Sequence, residues 1–126
     1  MCIRDRVVTA HEDPAKDSGI NWDALARLNT TLCVLMGARR AAQIRERLLT
    51  AGMERDTPVA IVTSASTPQQ HVRRMRLHEL GETPVANPAV IVIGHVAETS
   101  VLAELPASAT LPYPLTNDLI IQGTRP

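Results

Sequence analysis

The chain has 126 residues, which is enough for one domain with a hydrophobic core of its own. Lysine and arginine total 13, as do aspartate and glutamate, so the charge balance does not favour nucleic acid or an anionic membrane as a partner. No apolar stretch reaches membrane-spanning length and no signal peptide is visible, which predicts a cytoplasmic protein. The two cysteines and four histidines show no metal-ligand spacing, so we expect no metal site.

The first residues do not resemble the start of a domain, because 1–6 carry no helix cap and no hydrophobic period. We interpret them as a non-native leader, of the kind that assembly of environmental sequence reads leaves, and on that interpretation the chain is truncated at its N-terminus. A short strand over 7–10, ending at His11, is the first predicted element. Asn21 is placed to cap a short helix over 22–28.

The stretch 30–39 organises the rest of the chain. Residues 31–36 form an apolar run of strand length that ends at Gly37, and 39–51 carry apolar residues at helical spacing. Gly52 stands where a glycine commonly follows a helix. Ligands in open α/β sheets bind at the carboxyl ends of strands, so Met36 and Gly37 form a candidate binding position.

Two further apolar runs, 58–63 and 89–94, predict strands. The order of strand, helix and strand over 31–63 predicts a right-handed crossover that joins two parallel neighbours. The small polar stretch 64–70 follows the second of these strands and is another position of the kind that binds ligands. Residues 98–105 are weakly helical, and the proline- and threonine-rich remainder is interpreted as a tail or linker.

The order of these pieces resembles the C-terminal half of proteins of the tetrapyrrole methylase family. The resemblance covers 7–97 and depends on order and spacing, because no single piece is specific. The matching pieces are Val8-Thr9-Ala10-His11, Asp23-Ala24-Leu25-Ala26, Thr31-Leu32, Leu35-Met36-Gly37, Thr57-Pro58-Val59-Ala60-Ile61-Val62, Ala65-Ser66-Thr67-Pro68-Gln69-Gln70 and Pro88-Ala89-Val90-Ile91-Val92-Ile93-Gly94.

The resemblance implies an α/β fold, a mixed-sheet α/β sandwich, with one methylase domain over 7–97 between the leader 1–6 and the tail 98–126. It also favours a strand over 72–77, where Ser66 and Pro68 locally favour the start of a helix. Similar enzymes have two domains with S-adenosylmethionine in the cleft between them. The glycine-rich N-terminal half of those enzymes is absent here, so we expect the fragment to be inactive alone.

The resemblance also implies a reaction and partners. Members of the family with these motifs methylate ring carbons of uroporphyrinogen III to give precorrin-2, in porphyrin, siroheme and cobalamin biosynthesis. Thr67-Pro68-x-Gln70 and Val8-Thr9-x-His11 favour this reaction over those of relatives that act on later precorrins, ribosomal RNA or diphthine. The implied cofactor is S-adenosylmethionine and the implied substrate is a tetrapyrrole. A homodimer is implied for the full-length protein.

Site residues follow from the resemblance position by position. Met36, after Leu35, matches a methionine that touches the cofactor, and Ala65 matches a small residue that lies against the adenosine. The implied cofactor-binding residues are Leu35, Met36, Ala65, Pro88, Ala89 and Val90. His11 and Arg39 are candidates for substrate binding, since a guanidinium fork suits carboxylates. No catalytic residue is implied, because the sulfonium is already activated and positioning supplies most of the rate.

Two classes of function therefore remain open. The first is the cofactor-binding half of a tetrapyrrole methyltransferase, acting on uroporphyrinogen III or on a later precorrin. The second is a non-catalytic module that dimerises or binds a nucleotide-like ligand. The coding sequence upstream of residue 7 distinguishes them, because an in-frame glycine-rich half indicates an enzyme and a true start codon indicates a module.

Overall fold

The computed structural model describes residues 5–11 and 19–99. The five strands are β1 (Asp5–Thr9), β2 (Thr31–Leu35), β3 (Pro58–Thr63), β4 (His71–Arg76) and β5 (Ala89–Ile93). The α-helices are α1 (Trp22–Arg27) and α2 (Ala41–Thr50), and short 3-10 helices cover Ala38–Arg40, Leu77–Glu79 and His95–Glu98. The predicted tail from residue 100 onward and the predicted leader up to residue 4 lie outside the described residues.

The strands form one mixed sheet in the order β1-β2-β5-β3-β4. Strand β1 is parallel to β2, whereas β5 is antiparallel to both β2 and β3, and β4 is antiparallel to β3. The predicted mixed-sheet α/β fold is confirmed. The prediction that the strands over 31–36 and 58–63 are neighbours was wrong: they are parallel, but β5 lies between them and pairs with each.

The hydrophobic core fills one face of the sheet. Alternate residues of the three central strands point to this face, where α1 and α2 cover them. The largest side chains buried there are Trp22, Leu32, Ile44, Leu48, Ile61, Leu77, Leu80, Ile91, Ile93, Val34 and Val59. Because successive residues of a strand point to opposite faces, the remaining residues of β2 and β5 lie on the second face, where they are half-buried.

The helix predicted over 39–51 is present as the 3-10 turn Ala38–Arg40 followed by α2. Gly52 ends α2 with a φ of 94°, its N–H donates to Leu49 O at 3.0 Å, and the Met53 N–H donates to Leu48 O at 3.0 Å. These two bonds satisfy carbonyls that the helix end leaves without partners. Asn21 caps α1 as predicted, because its side chain accepts from the Ala24 N–H at 2.9 Å.

Strand β4 confirms the strand predicted over 72–77. It pairs with β3 over six residue positions, from Pro58 with Arg76 to Thr63 with His71. The helical signals at Ser66 and Pro68 belong instead to the tight loop between the two strands. The ladder of backbone hydrogen bonds with β3 outweighs the local helical preference.

The first strand begins earlier than predicted. Asp5 and Arg6, which the sequence analysis set aside with the leader, pair with Thr31 and Leu32 of β2. They belong to an edge strand whose side chains are mostly exposed, so no hydrophobic period marks them. No helix within 5–11 and 19–99 has the length and apolar character to cross a membrane.

Gly81 provides a test of the packing between the loop after β4 and α2. Its φ is +88°, and an added Cβ would lie 2.6 Å from Ala42 Cα. We expect Gly81→Ala to lower the free energy of unfolding by about 2–5 kcal/mol, since a left-handed alanine costs about 1–2 kcal/mol and an overpacked contact costs about 1–3 kcal/mol. Urea denaturation measures the change.

Gly52→Ala is the matched control, because Gly52 has a φ of +94° but nothing within 4 Å of an added Cβ. This variant should lower the free energy of unfolding only by the cost of a left-handed alanine, about 1–2 kcal/mol. Equal losses in the two variants would contradict the close approach of Gly81 to α2.

Candidate functional site

Several strand ends meet at one edge of the sheet. Because β1, β2 and β3 run in the same direction, their carboxyl ends share an edge, and the antiparallel β5 begins there. We call this the strand-end edge and define it as residues 10–11, 35–36, 63–65 and 88–90. All six residues that the sequence analysis assigned to the cofactor lie on it.

The pairing register fixes the neighbours along the strand-end edge. Leu35 of β2 and Val62 of β3 both lie opposite Val90 of β5. The Ser64 N–H, just beyond β3, donates to Pro88 O at 2.9 Å. Residues from three separate parts of the chain are therefore held side by side by main-chain hydrogen bonds.

A row of side chains crosses the second face of the sheet next to this edge. The residues opposite one another in successive strands are Thr9, Leu35, Val90, Val62 and Val72. The four apolar members are half-buried, and directly opposed side chains in a sheet lie about 5 Å apart. The row forms a continuous apolar strip. Val62 is not among the predicted site residues, because its place beside Val90 becomes visible only from the register.

Two strands are followed directly by residues whose backbone has the left-handed conformation. Met36 follows β2 with a φ of 55°, and Ser64 follows β3 with a φ of 50°. Each such residue other than glycine costs about 1–2 kcal/mol, and conformations of this kind concentrate at functional sites. The Met36 side chain is 59% exposed and Ala65 is also exposed. The strand-end edge is therefore an open wall with small and apolar groups at its rim.

The two candidate substrate residues lie in different surroundings. His11 is exposed just after β1, and its carbonyl accepts a hydrogen bond from Arg40 Nε at 3.3 Å. Arg39 is exposed and lines a depression of about 380 Å³ together with Ala42 and the loop 81–85. Of the two neighbouring arginines, Arg40 is the one whose guanidinium contacts the main chain at the end of β1.

Comparison with known proteins identifies the family. The sequence profile described as Tetrapyrrole (Corrin/Porphyrin) Methylases matches residues 3–81, which is more than half of the chain. The chain belongs to the tetrapyrrole methylase family. The match begins before β1 and ends after β4, so it includes the strand-end edge from His11 to Ala65.

Curated relatives within the family include complete enzymes. The chain is 41% identical over 108 residues to a uroporphyrinogen-III C-methyltransferase of Pseudomonas fluorescens, covering 82% of this chain and 43% of the relative. It is 40% identical over 94 residues to a siroheme synthase of Salmonella arizonae, covering 72% of this chain and 20% of that protein. The chain thus spans less than half the length of these relatives.

Solved structures agree with the fold. The uroporphyrin-III C-methyl transferase of Thermus thermophilus, complexed with S-adenyl homocysteine, matches with a TM-score of 0.64 and 30% identity over 74% of this chain and 42% of that one. A cobalt precorrin-4 methyltransferase, CbiF, matches with a TM-score of 0.63 at 18% identity, which supports the fold alone.

Cys33 lies on the second face and is half-buried. Burial raises the pKa of its thiol, and the nearby Asp5 carboxylate raises that pKa further. Because the thiolate is the reactive form, the thiol is a poor nucleophile and a poor metal ligand at neutral pH. Within 5–11 and 19–99, no three histidine, cysteine or acidic side chains lie close enough to hold a metal ion.

The raised pKa of Cys33 predicts slow alkylation. In a Cys2→Ser variant at pH 8, iodoacetamide should modify Cys33 several-fold more slowly in the folded chain than in urea. Asp5→Asn should increase the folded-state rate, because the variant removes a charge that opposes the thiolate. Mass spectrometry of timed samples measures both rates. Equal rates in folded and unfolded chains would show that the thiol titrates normally.

Proposed function

We propose that this chain is the C-terminal cofactor-binding domain of an S-adenosylmethionine-dependent uroporphyrinogen-III C-methyltransferase. In this proposal the full enzyme converts uroporphyrinogen III to precorrin-2, in siroheme and cobalamin biosynthesis. The strand-end edge is the observation that supports this proposal most directly. Main-chain hydrogen bonds there hold Leu35, Met36, Ala65 and 88–90 side by side. The 41% identity to the Pseudomonas fluorescens relative favours this substrate over a later precorrin.

The strand-end edge suits an adenosine group. The apolar strip of Leu35, Val90 and Val62 provides a flat surface, and the small, exposed Ala65 leaves space near it. A flat apolar surface with a few polar groups is typical of sites for small cofactors. Among the described loop residues 64–70, every main-chain N–H except that of Ala65 has a hydrogen-bond partner, and Pro68 has none to donate. The Ala65 N–H is therefore the main-chain donor of the loop that remains for a ligand.

S-adenosylmethionine, when bound, supplies a sulfonium methyl group that a ring carbon of the substrate can attack. The chain's own residues then have to bind and orient the two reactants, and effective alignment alone accounts for about 7–11 kcal/mol of a barrier. The exposed Arg39 is suited to hold a carboxylate of an acidic tetrapyrrole, and His11 is placed at the end of β1 on the strand-end edge. We assign no acid or base to the reaction.

The proposal includes a second wall for the site. An open edge with exposed Met36 and Ala65 encloses a cofactor on one side only. The curated relatives are more than twice as long as the part they share with this chain. We therefore propose that the remaining part of such an enzyme closes the site, and that the complete protein is a homodimer.

Ala65 gives the sharpest test of the site. In the 126-residue chain, Ala65→Leu should weaken binding of S-adenosylhomocysteine roughly 5- to 150-fold, because overpacking a filled site costs about 1–3 kcal/mol. Met36→Ala should also weaken binding, but less if the contact is through the main chain. Equilibrium dialysis measures the affinities, and thermal melting measures the fold.

Ala24→Leu is the matched control, since Ala24 is exposed on α1 and does not belong to the strand-end edge. It should leave the affinity unchanged. Unchanged affinity in Ala65→Leu would refute the site. Lost affinity together with a collapsed melting curve would instead show that Ala65 belongs to the core.

A second prediction concerns activity. We expect the purified 126-residue chain to bind S-adenosylhomocysteine without methylating uroporphyrinogen III, because one wall of the site cannot align cofactor and substrate. Anaerobic incubation with labelled S-adenosylmethionine and uroporphyrinogen III tests this, with a full-length relative as the positive control. Incorporation of label into the tetrapyrrole by the chain alone would contradict the proposal.

A further inference from the structure

The loop between β3 and β4 is held by its own side chains. The Gln70 side-chain oxygen accepts a hydrogen bond from the Ser66 N–H at 2.7 Å. The Thr67 hydroxyl donates to Ser64 O at 2.7 Å and accepts from the Gln69 N–H at 3.2 Å. Two polar side chains, one from the middle of the loop and one from its end, therefore restrain the main chain at its beginning.

The restrained main chain has an unfavourable conformation. Ser64 has a φ of 50° and Ser66 a φ of 63°, so left-handed residues flank Ala65 on both sides. Neither is a glycine, and a single left-handed residue of this type is disfavoured by about 1–2 kcal/mol. The bonds from Thr67 and Gln70 oppose relaxation of the two serines, because Thr67 binds the carbonyl of one and Gln70 binds the amide of the other.

The loop is also attached to the sheet at one point. The Ser64 N–H donates to Pro88 O at 2.9 Å, next to the start of β5. This bond fixes where the loop begins, whereas the bonds of Thr67 and Gln70 fix how it turns afterwards. The position of Ala65 relative to Leu35 and Val90 depends on both.

We propose that Thr67 and Gln70 are positioning residues for the cofactor site. Their side chains hold Ser64 and Ser66 in the left-handed conformation that presents Ala65 at the strand-end edge, and they do so through the Thr67 hydroxyl and the Gln70 side-chain oxygen. This inference depends on the proposed function, since it takes the Ala65 wall as the place where the adenosine binds. A wall already fixed in the free protein binds a ligand more tightly than one that must be ordered on binding.

The restraint should influence affinity more than stability. Ser66 and Gln70 are both exposed, so water can replace the lost hydrogen bond in a variant and the melting temperature should change little. Without Gln70 the loop samples other conformations, and the fraction of chains with a binding-competent wall falls. We expect affinity for S-adenosylhomocysteine to fall roughly 3- to 10-fold, in line with the loss of one net hydrogen bond.

The test compares Gln70→Ala with Gln70→Glu and Gln69→Ala in the 126-residue chain. Glutamate retains a side-chain oxygen that can accept from the Ser66 N–H, and alanine does not. Gln69→Ala is the control, because Gln69 uses only its main-chain N–H in the loop bonds described here. For each variant, nuclear magnetic resonance gives the exchange rate of the Ser66 amide without ligand and the dissociation constant for S-adenosylhomocysteine.

We expect both the Ser66 amide exchange rate and the ligand affinity to change in Gln70→Ala, and neither to change in the other two variants. In Gln70→Ala the Ser66 amide should exchange several-fold faster and the affinity should fall, whereas Gln70→Glu and Gln69→Ala should behave like the unchanged chain. If the unchanged chain binds the ligand and Gln70→Ala binds it equally well, the positioning role is overturned. The same conclusion follows if Gln70→Glu binds the ligand as weakly as Gln70→Ala does. If the unchanged chain does not bind the ligand at all, the proposed function fails first, and the inference fails with it.

Thr67 provides a second, independent pair of variants. Thr67→Ser keeps the hydroxyl that donates to Ser64 O, and Thr67→Val removes it while preserving the shape of the side chain. The valine variant should bind S-adenosylhomocysteine more weakly and the serine variant should not. Equal affinity in the two variants would exclude the Thr67 hydroxyl from this role.

Discussion

The pairing of β5 with two strands at once is the interaction on which the rest of the structure depends. Its backbone bonds to β2 on one side and to β3 on the other, which joins two parts of the chain that would otherwise not meet. On the core face this places Ile91 between Val34 and Ile61. On the second face it places Val90 between Leu35 and Val62. The same pairing therefore builds the core and the strand-end edge.

Much of the fold could be predicted from the sequence, because the main signals were local and strong. The strand Pro58–Thr63 has the predicted bounds, since Pro58 begins an apolar run and the polar loop after Thr63 ends it. The order of strands could not be predicted in the same way. Strand β5 is apolar on both faces, so its composition is compatible with a central position but does not specify its partners or its direction.

The candidate site was predictable to the extent that it consists of strand ends. Met36 is predicted because ligands bind where strands finish, whereas Ala65 is predicted from the family resemblance, and the structure places both on one edge. Their role with the cofactor stays a prediction. Val62 was missed because an apolar residue within a strand gives no sign of which neighbour it faces. Ser64 was missed because its left-handed conformation has no signature in a serine.

A map of the amides that respond to S-adenosylhomocysteine tests the central claim most directly. In a ¹⁵N-labelled sample of the 126-residue chain, a titration to saturation should shift the amides of 35–36, 64–66 and 89–90. Amides at the opposite edge, near Arg76 and Gly94, should remain unchanged. Shifts confined to the opposite edge or to the depression beside Arg39, or no shifts at all, would contradict the proposal that the strand-end edge binds the cofactor.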